Sequence, residues 1–317
     1  MLVDAIEALE LPESRWAVVG GPVHYCEWPG PLDGPIFVLV HGLGGSLLNW
    51  APVAAGLAER GRVLALDLVG FGLTPLEGRS ARVGSNWKVL NGFMDSLNLP
   101  PVVLVGNSMG GMVSLIQAAH RPDSVDALIL VDAAFPRGRG RGAQPSPWLA
   151  GAFAVYSTSQ LGEKVAGVRA RRLGPEGLVR ETLRLAAADP SAIDPKLVAA
   201  HVEMAKRRLE FDWATPAFQE AARSIFLAQV RPGRYRNLVR RVATPALVLH
   251  GGRDRLIPLG AAREAVQGHP NWLLQVFPDL GHIPQMEAPV RWLAAVNAWL
   301  DQRQGSPAGD QRERPAG

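Results

Sequence analysis

A serine in this sequence lies where nucleophilic catalysis would need one. Ser108 is the centre of GNSMG (106–110), directly after a predicted buried strand and directly before a predicted helix. A serine lifted on such a sharp turn leaves no room for a Cβ two residues before or after it, so both positions favour glycine. The turn also places the backbone N–H of Met109 at a helix N-terminus, where it can donate to a developing oxyanion. The pattern predicts a catalytic serine rather than a packing turn.

A serine hydroxyl needs a general base, and seven histidines are available. His282 follows the last predicted strand, on a loop at the carboxyl edge of the sheet, where open α/β sheets bind ligands. We therefore predict that His282 is the base. The other histidines lie in less suitable places, namely an edge hairpin (His24), a helical region (His201), a loop before the last strand (His269), a helix end (His120) and two strand ends followed at once by Gly turns (His41 and His250).

The acid that orients the base should follow a neighbouring strand, between the serine and the histidine. Asp254, in GGRD (251–254), meets this condition. Asp132, at the end of an earlier strand, is the alternative. Asp67 also ends a strand, but it precedes the serine and opens a turn, which favours a turn-capping role. We predict Asp254 as the acid.

The elements that must position these residues alternate between strand and helix. Short, nearly all-apolar runs without period-2 alternation predict strands buried on both faces, at 36–42, 62–70, 102–108, 127–133, 246–254 and 273–282. Helical periodicity lies between them, at 52–60, 109–120 and 261–267. We expect an α/β fold with a mostly parallel, doubly wound sheet. A Gly-Gly-Pro turn within residues 16–28 predicts an antiparallel edge hairpin.

The alternation stops after the strand at 127–133. Residues 134–241 carry only helical periodicity, and the strand pattern then resumes. We predict a core of residues 1–133 and 242–301, a helical insertion of residues 134–241, and a disordered tail of residues 302–317, which has no large apolar side chain.

Composition excludes several classes of protein. The 317 residues carry a net charge of +4, from 33 basic and 29 acidic side chains, which is too small to indicate nucleic-acid binding. The insertion holds 19 Lys and Arg against 9 Asp and Glu. We favour solvated helix faces as the reason for this excess; the alternative is attraction of anionic substrates or of anionic lipid. No apolar run approaches the roughly 18 residues of a membrane span, and the acidic start predicts a cytoplasmic protein. Cys26 is the single cysteine and is expected to be buried, and no metal-binding motif is present.

Together these motifs resemble the α/β-hydrolase superfamily. HGLGG (41–45) resembles its oxyanion loop, DLVGFG (67–72) the turn after the next strand, GNSMGG (106–111) its nucleophile elbow, and GGRD and GH its acid and base loops. The resemblance covers residues 16–133 and 242–300. It implies that the helical insertion is a cap over the active site, and that the N–H of Leu43 is a second oxyanion donor beside that of Met109.

The resemblance implies a serine hydrolase that cleaves carboxylic esters through an acyl-enzyme, without cofactor or metal, on an apolar small-molecule ester or acyl substrate. Serine at 108 argues against the members that open epoxides or displace halide, which use aspartate. Three alternatives stay open. The first is a carbon–carbon bond hydrolase of the meta-cleavage product type, whose oxyanion loop more often reads HGxGPG; the others are thioesterase, perhydrolase or amidase action, and a non-catalytic receptor. Chain length, leaving group and oligomeric state are not predicted.

Overall fold

An eight-stranded sheet forms the centre of the molecule. The computed structural model describes residues 9–138, 151 and 159–305. The strands are β1 Ser14–Val18, β2 Pro22–Trp28, β3 Phe37–Val40, β4 Val63–Leu66, β5 Val102–Asn107, β6 Val125–Val131, β7 Ala246–Gly251 and β8 Trp272–Phe277. Their order across the sheet is β1-β2-β4-β3-β5-β6-β7-β8. From β4 to β8 neighbouring strands are parallel, whereas β1 and β2 form an antiparallel edge hairpin. The predicted fold class is confirmed.

The central strands are buried on both faces, as their continuous apolar sequences predict. Every residue of β3, β4, β5 and β7 is buried. In β5 the side chains alternate between two core clusters: Leu104 packs into one, and Val103 and Val105 into the other. The prediction was wrong for β8, where Leu273 is 47% exposed. This strand lies at the edge of the sheet, so apolar sequence alone did not reveal its open face.

Helices cover both faces of the sheet. They are α1 Ala51–Ala58, α2 Val83–Ser96, α3 Met109–His120, and, after the insertion, α8 Leu259–Gln267, α9 Pro284–Glu287 and α10 Pro289–Gly305. Helix α2 was not predicted from the sequence; it begins after Arg82 without a side-chain N-cap. Its buried Leu90 and Phe93 belong to the same core cluster as Leu104. Packing, rather than a capping signal, therefore accounts for this helix.

Between β6 and β7 the described residues form helices and no strand. These are α4 Ser159–Ala186, interrupted at Gly174 before Pro175, α5 Pro195–Leu209, α6 Ala214–Val230 and α7 Pro232–Val239. Gly174 has a φ of +63°, a left-handed conformation that glycine adopts without strain. Residues 139–150 and 152–158 of the predicted helical insertion lie outside the described residues.

The C-terminal boundary differs from the prediction. Helix α10 continues to Gly305, so the first residues of the segment 302–317 are helical rather than part of a disordered tail. Residues 306–317 lie outside the described part of the chain. Among the described residues, no helix combines the length and the apolar character needed to cross a bilayer. Burial raises the pKa of the Cys26 thiol to about 12, as expected for a buried, unreactive cysteine.

Candidate active site

Ser108 stands on a strained turn between β5 and α3. Its φ and ψ are +53° and −115°, a conformation that costs a non-glycine residue on the order of 1–3 kcal/mol. A Cβ on Gly106 would lie 2.6 Å from the carbonyl of Gly110. A Cβ on Gly110 would lie 2.0 Å from the carbonyl oxygen of Val40. The steric reason for both glycines is therefore the one that the sequence predicts, and the turn lifts a partly exposed serine at the carboxyl edge of the sheet.

His282 is hydrogen-bonded to Asp254, with 2.8 Å between Nδ1 and Oδ2. The other oxygen of Asp254 accepts the N–H groups of Leu256 and Ile257, at 2.7 and 3.1 Å. Burial by itself would raise the pKa of Asp254, but the charge and the hydrogen bond of His282 outweigh it and lower the pKa overall. Because an ionised Asp254 only accepts, the ring proton is assigned to Nδ1 and the lone pair to Nε2. Such a tautomer can take a proton from a hydroxyl.

Asn107 joins the serine turn to the histidine loop. Its Nδ2 donates to the backbone carbonyls of His282 and Val131, each at 3.1 Å. The N–H of Ser108 donates to the same Val131 carbonyl at 3.0 Å. Within the described part of the chain, the Ser108 hydroxyl makes no hydrogen bond to the His282 ring. In enzymes without substrate such contacts are often long, and they tighten when the complex forms.

The loop after β3 is held by a buried histidine. His41 Nδ1 donates to the carbonyl of Gly42 at 2.7 Å, and its Nε2 accepts the N–H of Leu68 at 3.0 Å. Burial lowers the pKa of His41, so the ring is neutral and holds one tautomer. In a trans peptide the C=O and the following N–H point in opposite directions, so the N–H of Leu43 faces away from the His41 ring. Gly42 itself packs on Ser108, since a Cβ there would lie 3.1 Å from the serine Cβ.

Asp67 lies in a different network, as its predicted turn-capping role implies. Its two oxygens accept the N–H groups of Leu47, at 2.7 Å, and Leu73, at 2.9 Å. His24 Nδ1 lies 2.8 Å from Asp67, and His24 Nε2 lies 2.9 Å from the hydroxyl of Ser14. This second Ser-His-Asp chain was not predicted. Ser14 starts the extended edge strand β1, with neither a strained turn nor a helix N-terminus beside it. We therefore interpret the hydrogen bonds among Ser14, His24 and Asp67 as structural contacts between strands and loops.

Asp132, the alternative acid, is fully buried at the end of β6. Its Oδ1 accepts the N–H of Gly251 at 2.9 Å, and the structure hydrogen-bonds Asp254 rather than Asp132 to the His282 ring. One ligand atom from each of these three side chains lies within 4.8 Å of the others, a spacing that a metal ion could bridge. The hydrogen bond between His282 and Asp254, and those that the two carboxyl groups accept from backbone N–H groups, already account for the arrangement.

The histidine loop is also bonded to the end of α4. The N–H of His282 donates to the carbonyl of Ala186 at 2.6 Å. The buried carboxylate of Glu287 accepts the N–H groups of Gly281 at 2.8 Å, Ala188 at 2.7 Å and Asp189 at 3.1 Å. Glu287 was not predicted as a site residue. A Glu five residues after the base carries no local signal, because two of its three partners, Ala188 and Asp189, lie 99 and 98 residues away in the chain.

The insertion also lies against the loops that follow β3 and β4. A Cβ on Gly44, whose φ is +74°, would lie 3.1 Å from the Phe218 ring of α6. Arg208 of α5 donates to the carbonyl of Gly70 at 3.1 Å and lies 5.5 Å from the centre of the Phe71 ring. These contacts bring helices of the insertion over the carboxyl edge of the sheet, the edge that carries Ser108.

Known proteins share this architecture. A family model described as the alpha/beta hydrolase fold matches residues 35–289. The chain is 30% identical over 279 residues to the dihydrolipoyllysine-residue acetyltransferase component of an acetoin cleaving system of Pseudomonas putida, covering 87% of this chain but only 66% of that protein. It is 29% identical over 287 residues to an sn-1-specific diacylglycerol lipase of Mus musculus, covering 88% of this chain and 85% of the lipase.

The name of another relative indicates a hydrolase with a different substrate, a 2-hydroxy-6-oxo dienoate. The chain is 30% identical over 274 residues to a 2-hydroxy-6-oxo-2,4-heptadienoate hydrolase of Pseudomonas putida, covering 83% of this chain and 88% of the relative. Among solved structures, a thermophilic esterase from Thermogutta terrifontis superposes with a TM-score of 0.68 at 24% identity, covering 92% of this chain and 98% of the esterase. The last likeness shows a shared fold.

Proposed function

We propose that this chain, which belongs to the α/β hydrolase fold family, is a serine hydrolase that cleaves carboxylic esters with Ser108, His282 and Asp254. The observation that carries the proposal is the joined geometry of the three loops. Ser108 stands on a strained strand-to-helix turn, Asn107 bonds that turn to the backbone of His282, and His282 is bonded to Asp254 at 2.8 Å. The diacylglycerol lipase among the relatives supports ester chemistry.

The mechanism follows from the hydrogen bonds. Ser108 attacks the ester carbonyl while Nε2 of His282 takes its proton, and Asp254 stabilises the imidazolium. The tetrahedral oxyanion accepts the N–H groups of Met109, at the start of α3, and Leu43. His282 then returns the proton to the leaving alcohol, and water hydrolyses the acyl-enzyme through the same base.

The insertion serves as a cap in this proposal. Two contacts support this role: α6 contacts Gly44 of the proposed oxyanion loop through Phe218, and α5 contacts Gly70 of the turn after β4 through Arg208. An aromatic ring beside the oxyanion loop favours an apolar acyl group, because such a group gains from leaving water. The proposed substrate is an apolar small-molecule ester.

Hydrolysis of p-nitrophenyl esters from acetate to palmitate tests the proposal. Ser108→Ala should lower kcat by roughly three to six orders of magnitude, if the three residues act as a unit. Ser14→Ala is the matched control, since Ser14 is also bonded to a buried His-Asp pair, and it should retain the wild-type rate. Wild-type rates in Ser108→Ala would refute the role of Ser108. No turnover of any ester by the wild type would refute ester cleavage.

A second candidate is carbon–carbon bond hydrolysis, favoured by the 30% identity to the heptadienoate hydrolase. The segment Gly44-Gly45-Ser46 still departs from the HGxGPG pattern noted above. Loss of the absorbance of a meta-cleavage product would measure this activity directly. Turnover of that compound without ester turnover would replace the first proposal by the second, and binding without turnover of either would indicate a receptor.

A further inference from the structure

Two buried carboxyl groups lie behind the His282 ring. The Asp132 and Asp254 side chains are 0% and 1% exposed. Each offers an oxygen within 4.8 Å of the other and of a His282 nitrogen. Two ionised carboxylates that are this close together and shielded from water repel each other strongly, so one of them should hold a proton.

The hydrogen bonds show which of the two needs the proton. Asp254 accepts from the His282 ring and from the N–H groups of Leu256 and Ile257. In the described part of the chain, the one hydrogen bond that Asp132 accepts comes from the N–H of Gly251, through Oδ1. Its Oδ2 is buried and, among the described residues, receives no hydrogen bond. An ionised Asp132 would therefore keep a charged oxygen out of water without a donor, which is strongly unfavourable.

The charged and titratable neighbours of Asp132 do not stabilise a negative charge on it. His250 Nδ1 lies 3.6 Å from Oδ1 of Asp132, but its Nε2 donates to the carbonyl of Ile257, so the buried Nδ1 presents a lone pair. Burial lowers the pKa of His250, which keeps the ring neutral. The charge of Glu287 also raises the pKa of Asp132 rather than lowering it. The imidazole of His282 donates its Nδ1 proton to Asp254.

We propose that Asp132 is a neutral carboxylic acid whose Oδ2–H donates to Asp254, so that the pair carries one negative charge, held on Asp254 and facing His282. Burial first, and then the charge of Asp254, raise the pKa of Asp132 well above its ordinary value, in agreement with this assignment. The same proton gives the otherwise unpaired Oδ2 its hydrogen bond. Asp132 is then a positioning residue that acts through Asp254. The inference about its role rests on the proposed function of Asp254, whereas its protonation does not.

Infrared difference spectroscopy tests the protonation without any substrate. Near neutral pH, Asp132→Asn should remove a carboxylic-acid C=O stretch, which shifts when the wild type is moved into D2O. The control Asp279→Asn should instead remove carboxylate bands, because that exposed side chain is paired with Arg291. Loss of carboxylate bands in Asp132→Asn would overturn the proposal, and it would do so whether or not the chain hydrolyses esters.

The pH dependence of kcat/KM tests the positioning role. Asparagine can still donate to Asp254 and accept from Gly251, so Asp132→Asn should lower kcat/KM by only about three-fold. The acid limb of the pH profile, which is the fall of kcat/KM at low pH, should stay at the same pH. Were Asp132 ionised, its replacement would remove a negative charge near His282 and move the acid limb down by on the order of one pH unit.

A second variant separates donation from packing. Asp132→Leu has similar bulk but no donor, so Asp254 should keep more charge, the acid limb should move to higher pH, and kcat/KM should fall by about ten-fold. An unshifted limb in Asp132→Leu would refute the positioning role. If Asp132→Leu does not fold, the limb of Asp132→Asn and its infrared spectrum decide the question.

Discussion

The amide of Asn107 donates a hydrogen bond to the backbone carbonyl of His282, across 3.1 Å. These residues lie 175 positions apart in the chain, yet one is adjacent to the proposed nucleophile and the other is the proposed base. The same amide also donates a hydrogen bond to the carbonyl of Val131, at the end of β6. One side chain therefore connects the serine turn, the histidine loop and the end of β6. Asn107 thus links the serine turn to the histidine loop, and we expect it to set the distance between them.

Replacing Asn107 by Leu should therefore loosen the register of the two loops. We expect kcat for a p-nitrophenyl ester to fall by about ten-fold or more with a smaller change in KM, because misplacement affects the transition state most. Steady-state kinetics measure this split. Asn271→Leu is the control: the exposed Asn271 also donates to a backbone carbonyl, that of Ala243, but at the amino ends of β7 and β8, and it should leave both constants unchanged. Equal effects of the two variants would contradict a specific role of Asn107.

Glu287 should link the stability of the insertion to the position of the base. A glutamine there cannot accept all three backbone N–H groups, and each buried donor left unpaired costs about 1–3 kcal/mol. We expect Glu287→Gln to unfold at lower urea concentration and to lose kcat, since Gly281 adjoins His282. Glu210→Gln, at an exposed ion pair with Arg207, should change neither. Full activity of a destabilised Glu287→Gln would show that the hydrogen bonds of Glu287 do not position the base.

The protonation of Asp132 predicts how stability varies with pH. Its folded pKa is raised above the ordinary value of 3.8, so the folded state binds more protons than the unfolded one. This carboxyl therefore stabilises the fold fully below 3.8, and that contribution is lost as pH rises. Asp132→Asn lacks the dependence, so its free energy of unfolding should rise relative to the wild type between about pH 4 and pH 8.

A control with the opposite sign is available at Asp279. Its hydrogen bond to Arg291 lowers the pKa to about 2, so its contribution is present above 3.8 and is lost as pH falls. Asp279→Asn should therefore lose stability relative to the wild type as pH rises, whereas Asp132→Asn gains it. Urea unfolding of all three proteins across the pH range measures both trends. Parallel trends for the two variants would contradict the assignment.

The serine turn should not tolerate a side chain at Gly110. An added Cβ would lie 2.0 Å from the backbone oxygen of Val40, in a central strand that cannot move away. We expect Gly110→Ala to destabilise the fold by on the order of 3 kcal/mol, measured by urea unfolding. Gly84→Ala in α2 meets no atom within 4 Å and should stabilise by up to about 1 kcal/mol, from helix propensity. Similar stabilities of the two variants would refute the steric argument.

Several features of this protein could be predicted because their causes are local. Apolar runs predict the central strands, since a strand buried on both faces has no polar positions. The two glycines around Ser108 reflect a collision within one turn, and the Gly-Gly-Pro segment turns the chain between β1 and β2. These causes act over a few residues, so periodicity and spacing were sufficient for the fold class and for the positions of Ser108, His282 and Asp254 at strand ends.

Other features depend on residues that only the tertiary structure brings together. Asp132 and Asp254 both follow strands, and what distinguishes them is which carboxylate reaches the His282 ring and which lacks donors. Glu287 gains its role from the end of α4. Helix α2 owes its place to the core that it packs against, and the open face of β8 to its position at the edge of the sheet. Charge burial and hydrogen-bond satisfaction are properties of a three-dimensional neighbourhood, so no local pattern in the sequence carries them.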